Sequence, residues 1–70
     1  MVQIAVIMKD GEWAVFQDGS MLERGGRRSS CIERAEAIAF EAVERGEAVE
    51  LLIHDYLGEV KTRTMGTARD

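Results

Sequence analysis

The sequence contains few of the residues on which covalent, metal or catalytic sites are usually built. Its single cysteine, Cys31, cannot form an internal disulfide and cannot alone supply the ligands of a zinc site. The only histidine, His54, is followed by Asp55, but neighbouring side chains on a strand point to opposite faces. We therefore predict no enzyme activity, no catalytic or metal site and no bound cofactor.

Long apolar runs and basic leader segments are also missing. No run approaches the ~20 apolar residues that a helix needs to cross a bilayer. The opening residues, MVQIAVIMKD, place no basic segment before the apolar stretch, so we predict no signal peptide. A lone thiol is typical of a reducing compartment, which predicts a cytoplasmic location without membrane contact. The net charge of −4 disfavours a general polyanion binder.

Length and composition predict one small globular domain. Of the 70 residues, 46% are hydrophobic and 31% are charged, which is typical of a folded chain. We assign residues 1–64 to this domain and residues 65–70 to a frayed C-terminal tail. A core of this size predicts marginal stability for a monomer, which association with a second copy would relieve.

Four segments predict strands because they are rich in β-branched and apolar residues or alternate in polarity: 2–8, 12–17, 49–54 and 59–64. Asp10-Gly11 predicts a two-residue hairpin between the first two strands, since a type I′ turn needs positive φ at both central positions. Gly58 is placed for a left-handed or bulge position in the last turn. Residues 18–30 are predicted to be a polar loop.

One helix is predicted over residues 31–45. Its apolar residues recur at helical spacing: Ala35, Ile38, Ala39, Ala42 and Val43. Ser30 and Glu33 fit a capping box at its start, and Gly46 ends it. The order is then ββαββ, which predicts a two-layer α+β fold: a four-stranded antiparallel sheet with the helix on one face.

The hairpin register sorts the strand residues into two faces. We assign the bulkier set to the helix: Val2, Ile4, Val6, Met8, Trp13, Val15, Val49, Leu51, Ile53 and Val60. The other face has no helix, and polar His54, Lys61 and Arg63 lie towards one side of it. Exposed apolar patches usually mark interaction sites. The predicted interface residues are those of the uncovered face, together with one aromatic residue off the helix stripe: Ala5, Ile7, Ala14, Phe16, Leu52 and Phe40.

Three short motifs in this order resemble the bacterial family called domain of unknown function 2188. They are Trp13-Ala14-Val15, then Glu36-Ala37-Ile38, then the run LIHDYLGEV over residues 52–60. The resemblance covers nearly the whole chain. It implies a small ββαββ domain and a bacterial cytoplasmic setting, and it implies no activity.

Two classes of function remain. The first is a non-catalytic interaction module that forms a homodimer, or that docks another protein, through the uncovered sheet face. The second is an accessory nucleic-acid-binding protein that would use the sheet face and the basic run RGGRRSSC, with Arg24, Arg27 and Arg28 as the phosphate contacts. Phe16 is the single aromatic residue predicted on that face, so stacking with bases is disfavoured relative to self-association.

Overall fold

The structure of the protein is a computed structural model that describes residues 1–66. It is an α+β fold with one helix and a mixed sheet of five strands in the order β3-β2-β1-β4-β5. The elements are β1 (Val2–Lys9), β2 (Glu12–Gln17), β3 (Ser20–Gly26), α1 (Arg28–Glu44), β4 (Val49–His54) and β5 (Val60–Met65). The α+β class and the single helix are as predicted, whereas the four-stranded antiparallel sheet is wrong.

The first hairpin has the predicted turn and register. Asp10 and Gly11 have φ angles of 54° and 81°, as a type I′ turn requires. Met8 is paired with Trp13, and the pairing continues in step towards the start of β1. The alternation of side chains over β1 and β2 is therefore as the sequence predicted.

The predicted loop over residues 18–30 contains a fifth strand, β3. A second Asp-Gly turn, Asp18-Gly19, has φ angles of 50° and 88° and leads the chain back along β2. Two hydrogen bonds tie this turn to β1: the backbone N–H of Asp18 donates to the Gln3 oxygen at 2.8 Å, and the Gln3 N–H donates to Asp18 Oδ1 at 2.9 Å. The sequence does not predict this strand, because SMLERGG is mostly exposed and does not alternate in polarity.

The additional strand reverses the direction of everything that follows it. Because β3 ends at the same end of the sheet as β1, the helix must carry the chain back to the opposite end before β4 begins. β4 consequently runs parallel to β1, from the pair Val2 and Val49 to the pair Val6 and Ile53. The prediction of antiparallel pairing throughout was wrong for this reason.

The helix begins three residues earlier than predicted. The N–H of Cys31 already donates to the oxygen of Arg27 at 2.9 Å, so Ser30 lies inside the first turn. No side chain caps this end, and the predicted box of Ser30 with Glu33 is wrong. β3 delivers the chain directly to Arg27, which leaves no residues for a separate capping turn.

The helix ends as predicted at Gly46. The Gly46 N–H donates to Val43 at 2.9 Å, and the Glu47 N–H donates to Ala42 at 3.0 Å. These two bonds form a Schellman motif, which satisfies two of the last helical carbonyl groups.

The core lies between the helix and one face of the sheet. The sheet residues in it are those that the sequence assigned to the helix side: Ile4, Val6, Trp13, Val15, Val49 and Leu51. The helix contributes only small buried residues, Cys31, Ala35, Ala39 and Ala42, so its axis can approach the strands closely. Met8 and Val60 are 48% and 44% exposed and do not belong to this core.

The register of β5 differs by one residue from the prediction. The N–H of Asp55 donates to the oxygen of Glu59 at 2.9 Å, and Gly58 has the expected positive φ of 87°, so the loop closes around three residues. Val60 then pairs with His54, and both face away from the helix. The prediction that Val60 lies on the helix face is therefore wrong.

The same register moves the basic residues of β5 to the helix side. Lys61 pairs with Ile53, and Arg63 pairs with Leu51, whose side chains face the core. The terminal nitrogen of Arg63 lies 3.7 Å from the carboxylate of Glu36 on the helix. β5 continues through Met65, which packs against the core, and the rest of the predicted tail, residues 67–70, lies outside the described residues.

Candidate interaction surface

The sheet face opposite the helix, called the open face below, presents side chains from all five strands. Strand register and alternation place these residues on it: Gln3, Ala5, Ile7, Lys9, Glu12, Ala14, Phe16, Met21, Arg24, Glu50, Leu52, His54, Val60, Thr62 and Thr64. No other element of residues 1–66 covers this face, because the single helix packs on the other side.

An apolar row crosses the open face almost from edge to edge. Met21 pairs with Phe16, Phe16 with Ala5, and Ala5 with Leu52. Phe16, Ala5 and Leu52 are half-buried by their neighbours, while Met21 is 41% exposed. A face meant for water alone would alternate into Thr, Lys and Glu.

A second row lies beside the first. Arg24 pairs with Ala14, and Ala14 pairs with Ile7. Ala14 is almost fully buried between its neighbours, so it keeps the face flat but offers little surface for contact with a partner. Five of the six predicted interface residues therefore share one surface, and Phe40 does not: it lies on the helix, in the other layer, and is 54% exposed.

Sequence reasoning missed two apolar residues of the open face, Met21 and Val60. The sequence predicts a loop where β3 lies, so it assigns Met21 to no face, and its predicted β5 register places Val60 on the helix side. The dipeptide Asp18-Gly19 was the available signal for Met21, since it repeats the turn chemistry that identified the first hairpin.

Polar groups lie at both ends of the open face. At one end, Gln3 Nε2 donates to a carboxylate oxygen of Glu50 at 3.0 Å. At the other end lie Lys9 and an ion pair in which Arg24 Nε is 3.1 Å from a carboxylate oxygen of Glu12. Because Arg24 and Glu12 balance each other, the face is an apolar band with the net positive charge of Lys9 on one border and the negative charge of Glu50 on the other.

Neither edge of the sheet offers a regular, uncharged strand to a partner. β3 contains two irregularities in its pairing with β2, one of them at Gly25, which has a φ of 90°. β5 carries Lys61 and Arg63, and charged residues of this kind are a common defence of an edge against further pairing.

The structure divides the three arginines of the basic run. Arg24 lies in β3 on the open face, where Glu12 neutralises it. Arg27 is the cap residue of the helix, and Arg28 is its first residue. The three side chains do not form one continuous basic surface.

Arg28 occupies a cleft at the start of the helix. Its guanidinium carbon lies 5.7 Å from the ring centroid of Trp13 and 5.6 Å from that of Tyr56, and the two rings meet edge to face. Its Nε donates to the backbone oxygen of His54 at 2.9 Å. The cleft has a volume of about 440 Å³ and is lined by Trp13, Arg27, Arg28, Ser29, Ile32 and Tyr56.

Cys31 and Asp55 have shifted pKa values, and each shift has a cause in the structure. Burial, together with the nearby carboxylate of Glu23, raises the pKa of the Cys31 thiol and keeps it neutral. For Asp55, partial desolvation opposes ionisation, but backbone N–H bonds from Glu59 and Leu57 and the charge of Arg28 outweigh it and lower the pKa.

The Asp55 carboxylate and the Cys31 thiol are both engaged within the fold. The Asp55 carboxylate accepts the N–H groups of Leu57 and Glu59 at 2.8 and 2.9 Å, which directs it into its own loop. Cys31 is fully buried, so its thiol is closed to a substrate. In the described part of the chain, no group of three His, Cys, Asp or Glu residues is placed to hold a metal ion.

Comparison with known proteins gives no relative. No family model, no curated protein and no solved structure matches this chain significantly. Within residues 1–66, no helix is long and apolar enough to cross a membrane.

Proposed function

We propose that the protein is a non-catalytic interaction module that forms a two-fold homodimer through its open face. The observation that carries this proposal is the apolar row from Met21 through Phe16 and Ala5 to Leu52, which is uncovered in the described residues. A small domain gains from covering such a row, because it has little core of its own.

The size of the face limits the area that a dimer can bury. Five strands about 4.8 Å apart and six residues of about 3.3 Å each give a face of roughly 24 by 20 Å. Two such faces bury on the order of 1,000 Å² in total, which is at the lower limit for a specific interface. We therefore expect a dimer that dissociates in the micromolar range rather than an obligate one.

The border charges favour one of the two possible symmetric arrangements. β1 is the central strand, so a two-fold axis parallel to the strands would set Lys9 of one copy against Lys9 of the other. An axis perpendicular to the strands instead sets Lys9 near Glu50 of the other copy, because these residues lie on opposite borders. We propose the second arrangement, with the strands of the two copies antiparallel across the interface.

A second copy fits the open face better than pairing along an edge, since both edges are protected by bulges or charges. Kinship with the domain of unknown function 2188 and a cytoplasmic location stay predictions beside this proposal. Nucleic-acid binding is the weaker alternative, because the three arginines are separated and the chain is acidic. If the parent protein stays monomeric, the partner of the same face would be a different protein.

Light scattering over a concentration series tests the proposal. The parent protein should shift from monomer to dimer in the micromolar range, and Phe16→Arg should remain monomeric with unchanged circular dichroism. Phe40→Arg is the matched control, since it makes the same substitution at an exposed phenylalanine of the helix layer. A folded parent that is monomeric at several hundred micromolar, or a Phe16→Arg variant that still dimerises, would contradict the proposal.

A charge exchange tests the antiparallel arrangement. Lys9→Glu alone and Glu50→Lys alone should each weaken the dimer several-fold, because each sets like charges against one another. The double variant should recover most of the affinity, and the effect should shrink in high salt. If the double variant dissociates as readily as the single ones, the axis lies along the strands.

A further inference from the structure

The guanidinium of Arg28 is held in one orientation by three neighbours. Trp13 and Tyr56 lie within 6 Å of it, at centroid distances of 5.7 and 5.6 Å, and the oxygen of His54 accepts its Nε–H at 2.9 Å. Its flat fork is thus fixed before any ligand arrives. A fixed guanidinium loses little conformational entropy when it binds an anion.

The two terminal NH₂ groups of Arg28 make no hydrogen bond to any residue that the structure describes. Asp55 is close enough for the charge of Arg28 to help lower its pKa, but it forms no ion pair with Arg28, and its Oδ1 accepts the N–H groups of Leu57 and Glu59. Four other arginines of residues 1–66 lie in ion pairs with glutamates: Arg24, Arg34, Arg45 and Arg63. Arg27 and Arg28 form none with the described residues, and they line the same cleft.

The rest of the cleft is suited to an organic group. Ile32 and the two aromatic rings supply apolar walls, Ser29 supplies a hydroxyl, and no carboxylate belongs to the lining. A volume of about 440 Å³ is within the usual range of small-molecule sites. Tyr56 is 74% exposed, so its ring is available to a ligand that enters from solvent.

We propose that this cleft binds a small phosphate monoester, with the phosphate on Arg27 and Arg28 and the organic group against Tyr56 and Ile32. A phosphate dianion matches two guanidiniums better than a carboxylate does, because it has more charge and more acceptor oxygens. A long nucleic-acid strand is disfavoured, because the next arginine, Arg24, is neutralised by Glu12 on the open face.

Trp13 is the only tryptophan and lines the cleft, so its fluorescence reports binding directly. The probes are inorganic phosphate, adenosine 5′-monophosphate and adenosine, at constant ionic strength. We expect saturable binding of the monophosphate, weaker binding of phosphate, and no saturable binding of adenosine. Equal binding of adenosine and its monophosphate, or no saturable change up to millimolar monophosphate, would overturn the proposal.

Variants separate the site from general electrostatics. Arg27→Ala removes an exposed side chain that makes no capping bond, so the fold should persist and monophosphate affinity should fall about tenfold or more. Arg28→Lys keeps the charge and removes the fork, with a similar loss expected. Arg34→Ala, on the same helix but outside the cleft, is the control and should change affinity less than about twofold.

Two further outcomes would also overturn the proposal. The first is a loss of affinity in Arg34→Ala as large as that in Arg27→Ala, which would mean that only overall charge matters. The second is a single-stranded oligonucleotide that binds more tightly than the monophosphate and does so with a steep dependence on salt, which would identify a nucleic-acid surface instead.

Discussion

Replacing Ala39 by leucine tests how closely the helix lies on the sheet. Ala39 is fully buried, and the fully buried residues of the helix are three alanines and one cysteine. Because Ala39 has no solvent exposure, the added carbon atoms must displace α1 or its neighbours, and overpacking of this kind costs about 1–3 kcal/mol of unfolding free energy. A 70-residue domain has only about 4–10 kcal/mol in total, so the loss is large.

Urea unfolding followed by the fluorescence of Trp13 measures this loss, with all variants at one protein concentration. Ala37→Leu is the matched control, because Ala37 is exposed on the same helix. It should change the unfolding free energy by less than about 0.5 kcal/mol, since leucine is nearly as good a helix former as alanine. If Ala39→Leu is as mild as Ala37→Leu, the close packing of helix on sheet is wrong.

Three further predictions concern single residues. Gly66→Ala should lower the urea midpoint of unfolding more than Gly58→Ala does. Both glycines have positive φ, but only at Gly66 would the added Cβ lie 2.6 Å from a backbone oxygen, that of Glu47. The lowered pKa of Asp55 means that its ionised form is favoured by folding, so the parent should lose this contribution as pH falls below about 4, and Asp55→Ala should flatten the acid limb of the stability curve. Cys31 should react with a thiol reagent at neutral pH only at the rate of opening, because it is buried and its pKa is raised, and fast labelling of the native protein would contradict this.

Local signals in the sequence predicted the parts of the fold that depend on nearby residues. The Asp10-Gly11 turn defined the register of the first hairpin, and that register correctly sorted β1 and β2 into a buried and an open face. The helix stripe and its end at Gly46 were also readable, because both follow from residues within a few positions.

The errors came from features that depend on distant pairing. β3 is an exposed, bulged edge strand, and its pairing with β2 stabilises it although its own sequence has no strand pattern. Missing it inverted the direction of β4, because each strand added to the chain reverses the direction of the next. The β5 register depended on whether Glu59 or Val60 follows the loop, and one residue moves every side chain to the other face.

The residues of the open face on β1, β2 and β4 were also predictable from the sequence. Ala5, Ile7, Ala14 and Phe16 follow from the first hairpin, and Leu52 keeps its face whether β4 runs parallel or antiparallel. The cleft at Arg28 was not predictable, since Trp13 and Tyr56 are far apart in sequence and meet only through the sheet. The basic run RGGRRSSC contributes Arg27 and Arg28 to that cleft.

Contacts between two copies across the open face test the central claim most directly. In a mixed sample of isotope-labelled and unlabelled protein, filtered nuclear Overhauser spectra select contacts between protomers. We predict contacts from the ring of Phe16 to methyl groups of Ala14 and Ile7 in the other copy, because the proposed axis sets each strand against its own counterpart. Contacts confined to Phe40 or to residues of the β5 edge, in a sample that is dimeric, would contradict the account.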